Sequence, residues 1–120
     1  MNAGDRDVLL SLLRALQRAE RKSKPLIKNP EQLEQETGED AIDVICMQFL
    51  AAGEALKRLD RLQPGFLQNH YPEVDWKGAM GFRDIIAHQY FDLDTEQIIL
   101  ICQDSLPAMI SAIKDLLQKI

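Results

Sequence analysis

Apolar residues recur every three or four positions along most of the chain, a spacing that predicts amphipathic α-helices. The first pattern predicts a helix from Asp5 to about Lys22. Residues 22–40 then mix two prolines, a glycine and polar side chains, which predicts a loop with at most one helical turn. A second helix begins at Thr37 or at Glu39–Asp40. Its apolar stripe consists of Ala41, Ile45, Phe49, Ala52, Leu56 and Leu59.

Helix-breaking residues divide the middle of the chain. Pro64–Gly65 ends the second helix or begins a short further piece toward His70. Pro72 biases Tyr71 away from helical angles, and Asp75 is a good N-cap for a third helix that begins at Trp76.

The last part of the chain again predicts helix. Asp94 is expected to cap it, with Gln97 three residues later completing a capping box. Pro107 should kink or restart this helix on its way to the C-terminus. No segment alternates with period two over a strand's length, and the chain has no repeat or domain linker. We therefore predict a single all-α domain over residues 1–120, an antiparallel up-down bundle of four to five helices.

Composition narrows the class of protein. The hydrophobic fraction of 46 % is normal for a globular chain, and no apolar run approaches the roughly 18 residues that span a bilayer. The N-terminus lacks the layout of a signal peptide, so we expect a cytoplasmic protein without membrane contact. Cys46 and Cys102 lie far apart in apolar surroundings, which predicts buried reduced thiols and excludes a structural zinc site.

Charge is unevenly distributed along the chain. The net charge of −5 argues against strong nonspecific binding of nucleic acid. Residues 1–30 nevertheless carry seven basic side chains against three acids. We call one helical face among them the basic stripe: Arg14, Arg18, Arg21 and Lys22. Such a stripe is either the solvated side of an amphipathic helix or a surface for an RNA backbone.

The side chains that are candidates for catalysis lie in the segment "GFRDIIAHQYFDLD", which begins at Gly81. In a regular helix Arg83 and His88 would be about 140° apart around the axis and roughly 7.5 Å apart along it, so they do not share a face. Asp84 and His88 do share one, one turn apart. Three arrangements would still unite the arginine with the histidine: a distorted helix near Ala87, an arginine side chain that wraps across, or a second copy of the chain.

The residue types suit phosphoryl chemistry. A histidine exchanges protons near neutral pH, and an arginine offers a planar cationic fork for phosphate oxygens. Asp84 could hold the His88 imidazole in one tautomer, and Tyr90 could stack on a base or bind a phosphate. The alternative is structural, because Arg and His near a helix C-terminus also satisfy its last carbonyls and its dipole.

Two acidic features have both structural and functional interpretations. Asp92 and Asp94 are better explained as a turn and an N-cap than as a metal site. Glu54 follows Gly53, where a helix interior favours alanine. It either pairs with Lys57 or Arg58 in solvent or forms a buried polar anchor that faces the third helix, which carries Arg83 and His88.

Three segments carry a resemblance to a known family: "AAGEALKRL", "YPEVDWKGAMGFRDIIAHQYFDLD" and "DSLPAMISAI". In this order and spacing they resemble the HepT-like proteins of the HEPN group, small helical ribonucleases that are toxins of MNT–HEPN toxin–antitoxin modules. The resemblance runs from about Asp40 to the C-terminus. One departure is the alanine of "AAGEA", where an isoleucine commonly precedes the Gly-Glu pair.

The resemblance implies a homodimer with two Arg-x-x-x-x-His motifs around one cleft. It implies metal-independent RNA cleavage by Arg83 and His88, with Asp84 as the polar residue that follows the arginine and Glu54 in support. Tyr90 matches the tyrosine to which a partner nucleotidyltransferase antitoxin adds AMP, silencing the toxin. That partner would use ATP and Mg²⁺ at its own site, so no cofactor is implied for this chain.

Two functional hypotheses follow. In the favoured one the protein is the toxin of a type VII (MNT–HEPN) module, an endoribonuclease whose substrate is a tRNA or an mRNA. In the other it is a non-catalytic helical module that docks a minimal nucleotidyltransferase and positions that enzyme's substrate. Under the first hypothesis the basic stripe is our candidate surface for the RNA backbone.

Overall fold

A computed structural model describes residues 1–120, and all of its regular structure is helical. The six helices are α1 (Ala3–Lys28), α2 (Glu36–Leu62), α3 (Phe66–His70), α4 (Trp76–Gln89), α5 (Thr95–Asp104) and α6 (Leu106–Lys119). Short 3₁₀ turns cover Pro30–Glu34 and Tyr90–Asp92. The predicted all-α class is confirmed, with six helices in place of four or five because a short helix follows Pro64–Gly65 and the last helix is divided.

The long helices α1 and α2 form the centre of the bundle. They pack against each other over most of their length, while α5 and α6 pack on α1 and α4 packs mainly on α2. The side chains at the centre are almost completely buried: Leu9, Leu12, Leu16, Ile45, Leu56, Leu59 and Ile113. The motif helix α4 is therefore attached to one side of α2 rather than enclosed by the bundle.

Helix α1 is longer than its sequence pattern predicts. It begins with a capping box between Asn2 and Asp5 and continues through Pro25 to Lys28, so the loop expected after Lys22 is wrong for its first six residues. A proline lacks the backbone donor that helix interiors use. Burial of Leu26, which is 2 % exposed, offsets that loss, and Ser23 Oγ donates a hydrogen bond to the Glu20 carbonyl.

The segment before α4 holds that helix in place. Asp75 caps it as predicted, since its carboxylate accepts a hydrogen bond from the Gly78 amide at 2.9 Å. Trp76 is buried and donates from Nε1 to the Tyr71 carbonyl at 2.9 Å. The Tyr71 hydroxyl in turn donates to Asp115 Oδ2 at 2.7 Å, which connects this segment to α6.

Two further boundary predictions are confirmed in the last third of the chain. Asp94 caps α5 by accepting hydrogen bonds from the Glu96 and Gln97 amides, without the reciprocal side-chain bond of a capping box. The helix restarts at Pro107: α5 ends at Asp104, and Pro107 lies in the first turn of α6, where its missing donor is not needed.

Both cysteines are buried free thiols, as expected from their surroundings. Burial raises the pKa of Cys46 to about 11 and that of Cys102 to about 12, so both stay protonated near neutral pH. None of the helices combines the length and hydropathy that crossing a membrane requires.

A candidate site on the motif helix

Arg83 lies on the face of α4 that packs against α2, directly opposite Gly53. A side chain at Gly53 would have its Cβ 2.6 Å from the Arg83 Cγ and closer still to the Arg83 Cβ. The glycine that α2 carries in its interior is therefore required by the close approach of the arginine stem. This contact fixes where the guanidinium group emerges from the α2–α4 interface.

The guanidinium group enters a chain of four alternating charges. Arg83 Nε is buried and lies 2.6 Å from Glu54 Oε1, an ion-pair distance without the alignment of a hydrogen bond. Arg83 Nη1 donates to Asp84 Oδ1 at 3.3 Å, and Lys57 Nζ donates to the same oxygen at 2.5 Å. We call these four residues the charge network: Glu54, Arg83, Asp84 and Lys57. Its two cations and two carboxylates neutralise one another across α2 and α4.

Glu54 combines parts of both predictions made for it. It faces the motif helix, as an anchor would, but its side chain is 55 % exposed and its cationic partner is Arg83. Lys57, one of the solvent partners considered for Glu54, pairs with Asp84. Glu54 therefore restrains the arginine from the solvent edge of the interface.

Asp84, which was predicted to orient His88, forms no hydrogen bond to that histidine within one chain. Residues one turn apart share a face, but the Lys57 ammonium and the Arg83 guanidinium both bind Oδ1 of the Asp84 carboxylate. The hydrogen bond from Lys57 is the main reason that the pKa of Asp84 lies below its ordinary value; the hydrogen bond from Arg83 adds to it, and burial opposes it. Asp84 is thus a charged link between α2 and the arginine.

His88 lies exposed in the last turn of α4, apart from the charge network. No hydrogen bond or ion pair of the chain joins it to Arg83, consistent with the angle between the two positions on a regular helix. Of the predicted site residues, a single chain therefore brings together Arg83, Asp84 and Glu54 and leaves His88 facing solvent.

Tyr90 is the first residue of the 3₁₀ turn after α4 and is 41 % exposed. Its hydroxyl donates a hydrogen bond to Asp43 Oδ1 on α2, a residue 47 positions earlier. This hydrogen bond is the largest cause that raises the pKa of Tyr90 to about 12, followed by burial. The ring packs edge-on against Phe91, with centroids 5.5 Å apart.

Apolar side chains surround this end of α4. Phe91 is 96 % exposed, and Ile85 and Met47 are also exposed. The hydrogen bond from Tyr90 to Asp43 brings the turn beside the part of α2 that carries Met47, one helical turn after Asp43. We call Met47, Ile85 and Phe91 the apolar patch. Ile85 lies one helical turn before the exposed His88, and Phe91 follows His88 by three residues in the turn after α4.

Two residues near the site were not predicted for their present roles. Lys57 was considered only as a partner of Glu54, and Asp43 gave no local signal at all. Both act through contacts between residues 27 and 47 positions apart, which only the packing of α4 and its following turn on α2 creates. The basic stripe lies exposed along α1, with all four of its side chains in solvent.

A cavity of about 320 Å³ lies on the other side of Gly53, between α2, α4 and the α5–α6 junction. Phe49, Phe82 and Met109 contribute apolar surface, whereas Asp75 and Asp104 are acidic residues of its lining. Carboxylates repel phosphate groups, so this acidic lining suits an RNA backbone less well than the basic stripe does.

The fold and the site define a class of protein: a small helical bundle whose chemistry-bearing side chains form an Arg-x-x-x-x-His motif near the end of one helix. Comparison with known proteins agrees with this class. The family model described as "Ribonuclease HepT-like" matches residues 12–116. The chain therefore belongs to the HepT-like ribonuclease family.

A curated protein of Methanocaldococcus jannaschii, named "Putative RNase MJ0127", is 37 % identical to the chain over 68 residues. The match covers 57 % of this chain and 53 % of the relative, so the chain spans about half the length of the curated relative it matches. No solved structure matched the chain. Both names indicate a ribonuclease.

Proposed function

We propose that the protein is a cytoplasmic endoribonuclease, the toxin of a type VII (MNT–HEPN) toxin–antitoxin module, and that it works as a homodimer. One observation carries this proposal: α4 presents Arg83 and His88 on different faces beside an exposed apolar patch. A single chain leaves the two residues apart, whereas a second copy packed on the apolar patch would bring the motif of each chain close to that of the other.

In the proposed reaction His88 accepts the proton of a ribose 2′-hydroxyl as that oxygen attacks the adjacent phosphorus. Arg83 stabilises the negative charge that builds on the phosphate oxygens. Its Nη2 group donates no hydrogen bond within the chain, so one edge of the guanidinium remains for a phosphate, while Glu54 and Asp84 hold the other atoms. These roles require no metal ion, and the substrate is a tRNA or an mRNA.

Regulation is proposed to act through Tyr90. Its hydroxyl lies at the surface only two residues after His88, where a partner protein can reach it. A minimal nucleotidyltransferase antitoxin would transfer AMP from ATP to this oxygen, with Mg²⁺ bound at the partner's own site. The added nucleotide would then occupy the space in front of His88 and exclude RNA.

The test is RNA cleavage by the purified protein in the presence of EDTA. We expect cleavage by the wild type and its loss, together with the loss of growth inhibition, in His88→Ala and Arg83→Ala. His70→Ala is the matched control, because His70 is the second histidine of the chain and lies exposed on α3. Cleavage that survives in His88→Ala would refute the proposed site.

A second function is favoured by the charge network. Both cationic residues at the α2–α4 interface are already neutralised by carboxylates, which is typical of a structural ion-pair cluster. The protein would then be a non-catalytic module that docks the nucleotidyltransferase and offers Tyr90 to it. In that case no preparation would cleave RNA, and Arg83→Ala would weaken the complex instead.

A further inference from the structure

We propose that Asp43 is the proton acceptor for covalent modification of Tyr90. This inference rests on the proposed function, in which Tyr90 receives a nucleotidyl group, and it assigns a role to a residue that the sequence did not indicate. The carboxylate of Asp43 is the hydrogen-bond acceptor of the Tyr90 hydroxyl. It therefore touches the atom that would react.

The arrangement around the hydroxyl suits a reaction with a large reagent. Asp43 and Tyr90 are both exposed, so an incoming phosphate can approach the phenol oxygen from solvent. The hydrogen bond to Asp43 anchors the ring at its hydroxyl, which limits its rotation. The proton already points at a carboxylate oxygen before any reagent arrives.

Cys46 is the other titratable group on α2 that faces Tyr90. Burial and the nearby Asp43 charge raise the pKa of its thiol to about 11, so it is protonated near neutral pH and cannot accept a further proton. The phenol itself has a pKa raised to about 12, so phenolate is scarce before the reaction. Proton removal must therefore accompany attack, and Asp43 is the group in position to perform it.

The transfer to Tyr90 requires no reactant other than the nucleoside triphosphate held by the partner enzyme. The phenol oxygen of Tyr90 forms a bond to the α-phosphorus, and the bond from that phosphorus to the pyrophosphate oxygen breaks. The phenolic proton passes to the Asp43 carboxylate and then to solvent. The product is a phosphodiester whose negative charge lies beside the Asp43 carboxylate, and the two like charges repel each other.

The experiment compares wild type, Asp43→Asn and Asp43→Ala. Asparagine keeps an oxygen that can accept the hydrogen bond but cannot take the proton. With the nucleotidyltransferase, ATP and Mg²⁺, we expect the rate of AMP addition to Tyr90 to fall roughly 100-fold in both variants. Recovery of the wild-type rate by Asp43→Asn would overturn the proposal, because it would show that Asp43 only positions the ring. Thermal unfolding and circular dichroism verify that both variants fold.

A second experiment tests the same role of Asp43 without the antitoxin. The probe 5′-fluorosulfonylbenzoyl adenosine labels tyrosine hydroxyls directly, and peptide mass spectrometry locates the label, with Tyr90→Phe as the blank. Between pH 7 and 9 the labelling rate of Tyr90 should be nearly flat in the wild type. In Asp43→Asn, which also lacks the carboxylate that raises the pKa of the phenol, the rate should rise about tenfold per pH unit over this range, because only the phenolate then reacts.

The outcomes separate the two proposals. Equal labelling rates and equal pH profiles in wild type and Asp43→Asn would refute the role of Asp43, whatever the antitoxin does. Failure of the nucleotidyltransferase to modify the wild type, together with labelling that depends on Asp43, would refute the proposed regulation and support Asp43 as the proton acceptor.

Discussion

Arg83 and Glu54 meet across the α2–α4 interface, with Arg83 Nε 2.6 Å from Glu54 Oε1, because the residue before the glutamate is a glycine. Gly53 admits the arginine stem, and Glu54 then restrains the guanidinium at the solvent edge. Gly53 and Glu54 together thus fix the position of the Arg83 side chain. Their effect on Arg83 can be measured separately from their effect on helix stability.

Gly53→Ala should displace Arg83 from its ion pair. The new methyl group would overlap the arginine Cβ and Cγ, and we expect a loss of about 1–3 kcal/mol in the free energy of unfolding, as for an overpacked core. RNA cleavage should fall with it. Urea unfolding and cleavage assays measure the two effects.

Gly81→Ala is the matched control for that substitution. Gly81 is also helical and lies on α4 itself, and a Cβ added there meets nothing within 4 Å. Alanine is the better helix former by about 0.5–1 kcal/mol, so this variant should be slightly more stable and fully active. If Gly53→Ala behaved like Gly81→Ala, the proposed fit between Gly53 and Arg83 would be wrong.

The ion pair between Asp84 and Lys57 predicts a pH dependence of stability. The hydrogen bond from Lys57 lowers the pKa of Asp84 below its ordinary value of 3.8. A carboxyl group with a lowered folded-state pKa stabilises the fold above its unfolded pKa and loses that contribution as the pH falls through the folded value. The wild type should therefore be more stable than Asp84→Asn from pH 5 to 8, with the difference shrinking as the pH falls below the ordinary value of 3.8 toward the lowered folded-state pKa.

Urea-unfolding midpoints of the two proteins between pH 3 and 8 measure this difference. Asp40→Asn provides the baseline, because Asp40 is exposed near the start of α2 and forms no ion pair in the chain. Lys57→Met should remove most of the advantage of Asp84. A difference between wild type and Asp84→Asn that stayed constant down to pH 3 would contradict the origin assigned to it.

Local sequence signals predicted the helix boundaries that local chemistry controls. Asp75 and Asp94 cap helices as expected, because an N-cap depends only on amides two or three residues away. The extension of α1 through Pro25 was missed because it depends on burial of Leu26 against distant parts of the bundle. Proline weakens a helix locally, and the sequence alone does not show what compensates for it.

The candidate site was likewise predictable from the sequence only where it depends on local spacing. The spacing of Arg83 and His88 on a helix already excludes a common face, and the structure agrees. The partners of Asp84 and Tyr90 could not be predicted, because Lys57 and Asp43 reach them only through the packing of α4 and its following turn on α2. A one-turn spacing favoured His88 for Asp84, but the Asp84 carboxylate binds the ammonium group of Lys57.

Charge reversal in the basic stripe tests whether α1 binds the RNA backbone. Arg18→Glu should weaken RNA binding and lower the slope of log affinity against log salt by about one for each phosphate that the stripe no longer neutralises. Lys114→Glu makes the same change of charge on the exposed side of α6. Filter binding at several salt concentrations measures both variants. Equal effects would indicate a general response to net charge and remove the stripe as a binding surface.

The apolar patch predicts the oligomeric state. Phe91→Asp places a charge at its most exposed residue and should convert the proposed dimer to a monomer in sedimentation experiments. Leu62→Asp is the control, since Leu62 is also an exposed apolar residue but lies about 22 Å further along α2 than Met47. If the protein remains a dimer in Phe91→Asp, the dimer interface lies outside the apolar patch.

Mixing two inactive variants tests the composite site itself. If each site takes Arg83 from one chain and His88 from the other, a heterodimer of Arg83→Ala with His88→Ala contains one intact site and one doubly defective site. Random exchange makes about half of the dimers mixed, so an equal mixture should recover about a quarter of wild-type cleavage. Sites formed within single chains would recover none, because every chain lacks one of the two residues. The same mixture in the Phe91→Asp background should stay inactive, which would tie the recovered activity to the apolar patch.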